Sequence, residues 1–173
     1  MRIWQRVSLL VIFFTPFLGI AKDGESTKEN WKIYEDKEFR LRIQYPGNFQ
    51  IRRWEGELQS VTLDLWDDRG EKSILGIQYV IQPGINPDGL NIREWFRSKL
   101  PGSIEMSSLQ LTDIQLGGRG ALRWDHEDAF GPYSKYFVAL GADVASINVR
   151  NRQRSPALDA LATEILSTIE FLE

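Results

Sequence analysis

Apolar residues recur at every second position from Phe39 to Tyr45. Phe39, Leu41, Ile43 and Tyr45 share one side of an extended chain, and Glu38, Arg40, Arg42 and Gln44 share the other. That period predicts a strand with one face on a core and one toward water. Pro46 has no amide hydrogen to donate, and Gly47-Asn48 supplies turn residues, so the strand should stop there. Ile51 to Trp54 predicts a short second strand. Ser60–Trp66 sets Val61, Leu63 and Leu65 against Thr62, Asp64 and Trp66. Ser73–Gln82 is largely apolar on both faces, which predicts a central strand covered on both sides. Further strands are expected over Met106–Gly117, along Leu122, Trp124 and His126, over Tyr133–Leu140 and over Val144–Val149. The last two are joined by Gly141-Ala142-Asp143, the mark of an antiparallel hairpin.

Two stretches change to a helical period. Asn91 stands three before Glu94, like a capping box, and Ile92, Trp95, Phe96 and Leu100 line one face before Pro101 stops the helix. Ser155 is placed to cap a second helix, with Pro156 at its first position. Leu158, Leu161, Ile165, Ile169 and Leu172 extend its stripe and predict a long terminal helix. Hairpin spacing dominates and regular strand–helix alternation is absent. The expected class is α+β: about six to eight mostly antiparallel strands, one short middle helix and one long C-terminal helix.

The first 21 residues stand apart. Arg2 and Arg6 precede an uncharged apolar run, Val7 to Ile20, and Gly19 and Ala21 offer small residues before an abruptly polar stretch. This is the layout of a secretory signal peptide, and the run is short for a transmembrane helix. Residues 1–21 are therefore expected to be a signal peptide, 22–30 a flexible lead-in and 31–173 a single domain with no transmembrane segment. The expected location is secreted or periplasmic, in a bacterium.

The 173 residues carry a net charge of -3 and no cysteine. Losing the leader removes Arg2 and Arg6 and no acid, which moves the charge to -5. A mildly acidic balance argues against nucleic acid as a partner. The absence of cysteine excludes disulfides, thiol nucleophiles and a lipid-modified cysteine.

Candidate chemistry is sparse. His126, the one histidine, sits among Asp125, Glu127 and Asp128, but neighbours in a strand face opposite ways and no Gly-x-Ser-x-Gly elbow accompanies it. Asp64, Asp67, Asp68 and Glu71 are dense in acid without the spacing of a calcium loop, and read as a solvated turn. Gly117-Gly118-Arg119-Gly120 lacks the Lys-Ser/Thr of a phosphate loop and reads as a hairpin turn. No residues are assigned to catalysis, and no metal or cofactor is expected. Two arginine groups, Arg40, Arg42, Arg52 and Arg53, then Arg150, Arg152 and Arg154, suit solvated edges, or else an acidic partner or membrane headgroups. Of the tryptophans, Trp95 and Trp124 are expected in the core. Trp54 and Trp66 fall opposite the apolar faces of their strands, where they would pack under a helix or form a protein-binding hot spot. Trp54, Trp66, Arg152 and Arg154 are the candidate protein-binding residues.

The opening and closing stretches resemble a known family. Tyr34, then Phe39, Leu41, Ile43, Tyr45, Pro46 and Phe49, look like the start of PsbP-like domains, which share a fold with the transport factor Mog1. Ala162 to Phe171 resembles that family's closing helix end. The resemblance spans residues 31–173 and implies an α/β/α sandwich around an antiparallel sheet. It also implies the role of an exported bacterial member: a non-enzymatic domain that binds or stabilises an unidentified protein of the cell envelope. Two other classes stay open at this point, a periplasmic hydrolase using dispersed acidic residues and His126, and a small-ligand or metal-binding module.

Overall fold

A computed structural model describes residues 30–55 and 59–173. The leader and nearly all of the lead-in lie outside the described residues. The described residues are α+β, with ten strands in two antiparallel sheets and two α-helices.

The larger sheet has seven strands: β3 (Gln50–Trp54), β4 (Ser60–Trp66), β5 (Ser73–Gln82), β6 (Leu111–Leu116), β7 (Arg119–Asp128), β8 (Gly131–Leu140) and β9 (Asp143–Asn151). Their spatial order is β3-β4-β5-β9-β8-β7-β6. A smaller sheet holds β1 (Trp31–Asp36), β2 (Leu41–Pro46) and β10 (Glu170–Phe171), with β2 in the middle.

Alternation decides which residues meet in the core. Val61, Leu63, Leu75, Ile77, Tyr79, Ile147 and Val138 project from one face of the large sheet and are buried. Leu41, Ile43 and Tyr45 of β2 cover them together with Ala162, Ile165 and Leu166 of α2 (Pro156–Ser167). The Tyr79 hydroxyl donates to the Phe39 carbonyl at 2.8 Å and ties the two sheets together. Burial pushes that phenol above its usual range.

The opposite face carries a second apolar cluster at one end only. Ile92, Trp95 and Phe96 of α1 (Ile92–Lys99) pack on Leu122, Phe137 and Val144, from β7, β8 and β9. Asn91 caps the helix by accepting from the Glu94 amide at 3.0 Å, as the sequence predicts. The indole of Trp95 donates to Ile85 at 3.1 Å.

Four expectations are corrected. Met106–Gly117 is not one strand: Met106–Ser108 forms a 3-10 turn, and β6 begins at Leu111. The Ser108 hydroxyl donates to Glu105 at 2.7 Å, the kind of local bond by which serine competes with a sheet ladder. The terminal helix ends at Ser167, short of Ile169 and Leu172. Thr168 turns the chain, and its hydroxyl accepts from the Gln44 amide at 2.9 Å while Glu170 and Phe171 pair with Arg42 and Leu41. An open β2 edge outcompetes another helical turn there. Two sheets replace the single one, because the Phe39–Tyr45 alternation belongs to a strand that leaves the large sheet and lies across it. Finally, β5 is covered by the small sheet and α2 on one face, while α1 packs over β7 and β8, away from β5.

Candidate functional site

α1 covers only one end of its face, and the stretch running from β3 across β4, β5 and β9 to Lys135 of β8 lies beyond that helix and forms an open groove of about 730 Å³. The register shows how five strands build it. One cross-strand row runs Arg52, Thr62, Gln78, Asn148, Lys135. The adjacent row runs Trp54, Ser60, Val80, Ser146 and ends on Phe137, under α1.

The chemistry of the rows is distinct. Trp54 is 70% exposed at the β3 end. The middle is neutral and polar, with one internal bond, Asn148 Nδ2 donating to Gln78 Oε1 at 3.3 Å. An amide has four hydrogen-bonding positions, so most of that capacity faces the groove. Lys135 closes the far end, its Nζ 5.1 Å from the centre of the Phe137 ring. Burial lowers its pKa, and no carboxylate of a described residue lies within ion-pair distance of it.

Most arginines of the two groups are ion-paired. Arg52 pairs with the buried Asp64, and Arg53 with Asp36, Glu38 and Glu55. Arg40 pairs with Asp143, Arg42 with Glu170 and Arg150 with Asp128. The Arg150 hydrogen bond holds the Asp128 carboxyl down at about 2. The two arginine groups are thus built largely into the fold.

The structure separates the four predicted binding residues. Trp54 stands on the groove. Trp66 and Arg152 line an adjoining hollow of about 460 Å³ that shares Arg52 with it. The Trp66 ring lies 5.8 Å from the Arg52 guanidinium carbon, and its indole nitrogen is buried without a hydrogen-bond partner among the described residues. Arg154 lies elsewhere, paired with Glu127 at 3.2 Å. Trp95 is buried and Trp124 packs on Phe96 at 6.0 Å, both serving the α1 cluster. Lys135 was missed by sequence reasoning. A lysine inside an apolar strand, at an alternate position with Phe137 and Ala139, was the available signal.

The acidic and histidine candidates do not converge. Asp64 accepts from Arg52 and from Ser73 at 2.9 Å, whereas Asp67 caps its own turn by accepting from the Glu71 amide at 2.8 Å. No group of three or more potential metal ligands occurs among the described residues. A second cleft, about 540 Å³, lies between β7, β8 and α2. In it, Ser134 donates to Asp125 at 2.6 Å and Arg123 donates to the same carboxylate at 2.9 Å. His126 reaches only the rim, its ring 4.7 Å from Trp124 and 5.4 Å from Tyr133 on the other face of the sheet. Strand alternation therefore keeps the imidazole apart from the Ser134–Asp125 pair.

No helix among the described residues is long and apolar enough to cross a membrane. No protein-family model matches the chain, and no curated protein matches it. Solved structures do. A crystal structure from Bacteroides thetaiotaomicron VPI-5482 matches with a TM-score of 0.53 and 13% identity over 85% of this chain, which spans about half, 50%, of that protein. The solution structure of cyanobacterial PsbP (CyanoP) from Synechocystis sp. PCC 6803 matches with a TM-score of 0.53 and 10% identity, over 88% of this chain and 98% of that one. At such identities the likeness concerns the fold alone, and the fold is PsbP-like.

Proposed function

We propose that this chain is an exported, non-enzymatic PsbP-like domain that binds a protein partner in the bacterial cell envelope, through the uncovered half of its seven-stranded sheet. One observation carries the reading: Trp54, 70% exposed, stands at the rim of a groove that five strands build and no described helix covers. Large aromatic side chains at the margin of a polar depression supply contact area at little entropic cost, the usual make-up of a binding hot spot. Export rests on the basic and apolar layout of residues 1–21. The PsbP-like fold supports a domain of that type.

The test is site-specific crosslinking in the cells that make the protein. A photoreactive amino acid at Gln78, in the groove, is expected to trap a discrete envelope protein, whereas one at Lys32, exposed on the small sheet, is not. Equal labelling from both positions, or none from Gln78, would refute the reading.

A further inference from the structure

We infer that the groove receives an extended acidic peptide segment, with a carboxylate anchored on Lys135 and an apolar residue against Trp54. The inference rests on the protein-binding reading and names the partner's chemistry. Three observations carry it.

Lys135 is a partly buried ammonium at the closed end of the groove, with no carboxylate partner among the described residues. Removing a charge from water without pairing it is unfavourable, so a cation held this way suits a ligand that brings the counter-charge. Arg52, at the other end, already has Asp64. The complementarity is therefore one-sided: one anion, at the β8 end.

Length is the second. Trp54 and Lys135 are four strand spacings apart, about 19 Å at about 4.8 Å per spacing. A single small molecule does not bridge them. A peptide does, with about six residues at roughly 3.4 Å each.

The third is the surface between. Thr62, Ser60 and Ser146 make no side-chain hydrogen bond with a described residue, and Gln78 and Asn148 spend only one bond on each other. Neutral groups that both donate and accept match the N–H and C=O of a peptide backbone, which an extended chain leaves unpaired.

The test is selection of displayed random hexapeptides on the immobilised protein, repeated with Lys135→Met, Lys135→Arg and Trp54→Ala. Circular dichroism and urea unfolding confirm that each variant folds. The expected pool has Asp or Glu at one end and an aromatic or aliphatic residue about five positions away. Lys135→Met abolishes the acidic preference and weakens a selected peptide by about tenfold or more, Lys135→Arg keeps it, and Trp54→Ala relaxes the apolar end alone. A pool without acidic enrichment, or one whose affinity ignores Lys135→Met, would overturn the inference. So would tetragalacturonate binding in a Lys135-dependent way while no acidic peptide is enriched, since that would make the ligand an acidic glycan. Crosslinking from Gln78 separates the two levels: a trapped envelope protein alongside a failed selection overturns the acidic peptide and keeps the protein partner, and no trapped protein overturns both.

Discussion

Gly117 is where the end of the chain docks, and its replacement by alanine has a cost that can be worked out. Gly117 and Gly118 form the two-residue turn between β6 and β7, with φ of 55° and 74°. Both need the left-handed region that an L-residue enters at about 1–2 kcal/mol. Their surroundings differ. A Cβ on Gly118 meets nothing within 4 Å, whereas one on Gly117 falls 2.7 and 2.8 Å from the Phe171 ring and 3.0 Å from the Ile169 carbonyl. Those separations are too short for carbon, so Phe171 must shift, at an overpacking cost of about 1–3 kcal/mol. Gly118→Ala should thus lose about 1–2 kcal/mol and Gly117→Ala about 2–5 kcal/mol. Urea unfolding at 25 °C reads the difference. In a Phe171→Ala background the part of the extra cost due to the ring should disappear, leaving the Ile169 carbonyl contact, and the coupling should be up to about 1–3 kcal/mol. If the two glycine variants agree within about 0.5 kcal/mol, β10 does not sit on this turn and the reasoning fails.

The other predictions concern the core, acid stability and the groove. Trp95→Ala should cost about 3–5 kcal/mol in urea unfolding, since its buried indole packs on Phe137, while Trp54→Ala should leave the midpoint unchanged. Burial alone would raise the Asp36 pKa, but hydrogen bonds from Tyr34 and the Phe39 and Glu38 amides, with Arg53 alongside, bring it below its ordinary 3.8. The unfolded chain then binds more protons, so the Asp36 contribution is complete above about pH 4 and is lost as pH falls through the folded value. Asp36→Asn should flatten that acid limb of a urea-midpoint profile; an unchanged slope would refute the assignment. Lys135→Met should keep or raise stability at pH 7, by up to about 1 kcal/mol, because it removes a desolvated charge. A clear loss in the same assay would mean that the ammonium has a partner in the folded protein.

Much of this fold was legible because its strands obey a period of two. Ser60–Trp66 and Ser73–Gln82 occur at their expected bounds, and the hairpin of β8 and β9 turns at Gly141. The N-cap at Asn91 was readable because capping is local chemistry. What escaped is nonlocal. Ile169 and Leu172 keep a helical spacing, and only the unpaired edge of β2, far away in sequence, explains why the helix stops. The Phe39–Tyr45 period was right about which side chains are buried, yet a period cannot say which sheet a strand joins. The site shows the same divide. Strand parity placed Trp54 and Trp66 opposite the core. Whether a helix covers them depends on how far α1 reaches, and no residue of β3 or β4 encodes that.

The β2–β10 pairing links Arg42 to Glu170, 128 positions apart. Closing a loop of that size costs roughly 4 kcal/mol in chain entropy, against well under 1 kcal/mol for the length-dependent part of a two-residue hairpin. The hairpins of the large sheet and the β1–β2 pair can therefore form as the chain emerges, but the other edge of β2 waits for β10. Until then β2 presents a row of free backbone groups, a template for pairing with another chain. Synthesis runs from the N-terminus, so this edge stays open until Thr168 to Leu172 have emerged, and it closes in a high-contact-order step. Aggregation during production should respond most to the final segment, Thr168 to Leu172, although it makes up little of the folded mass.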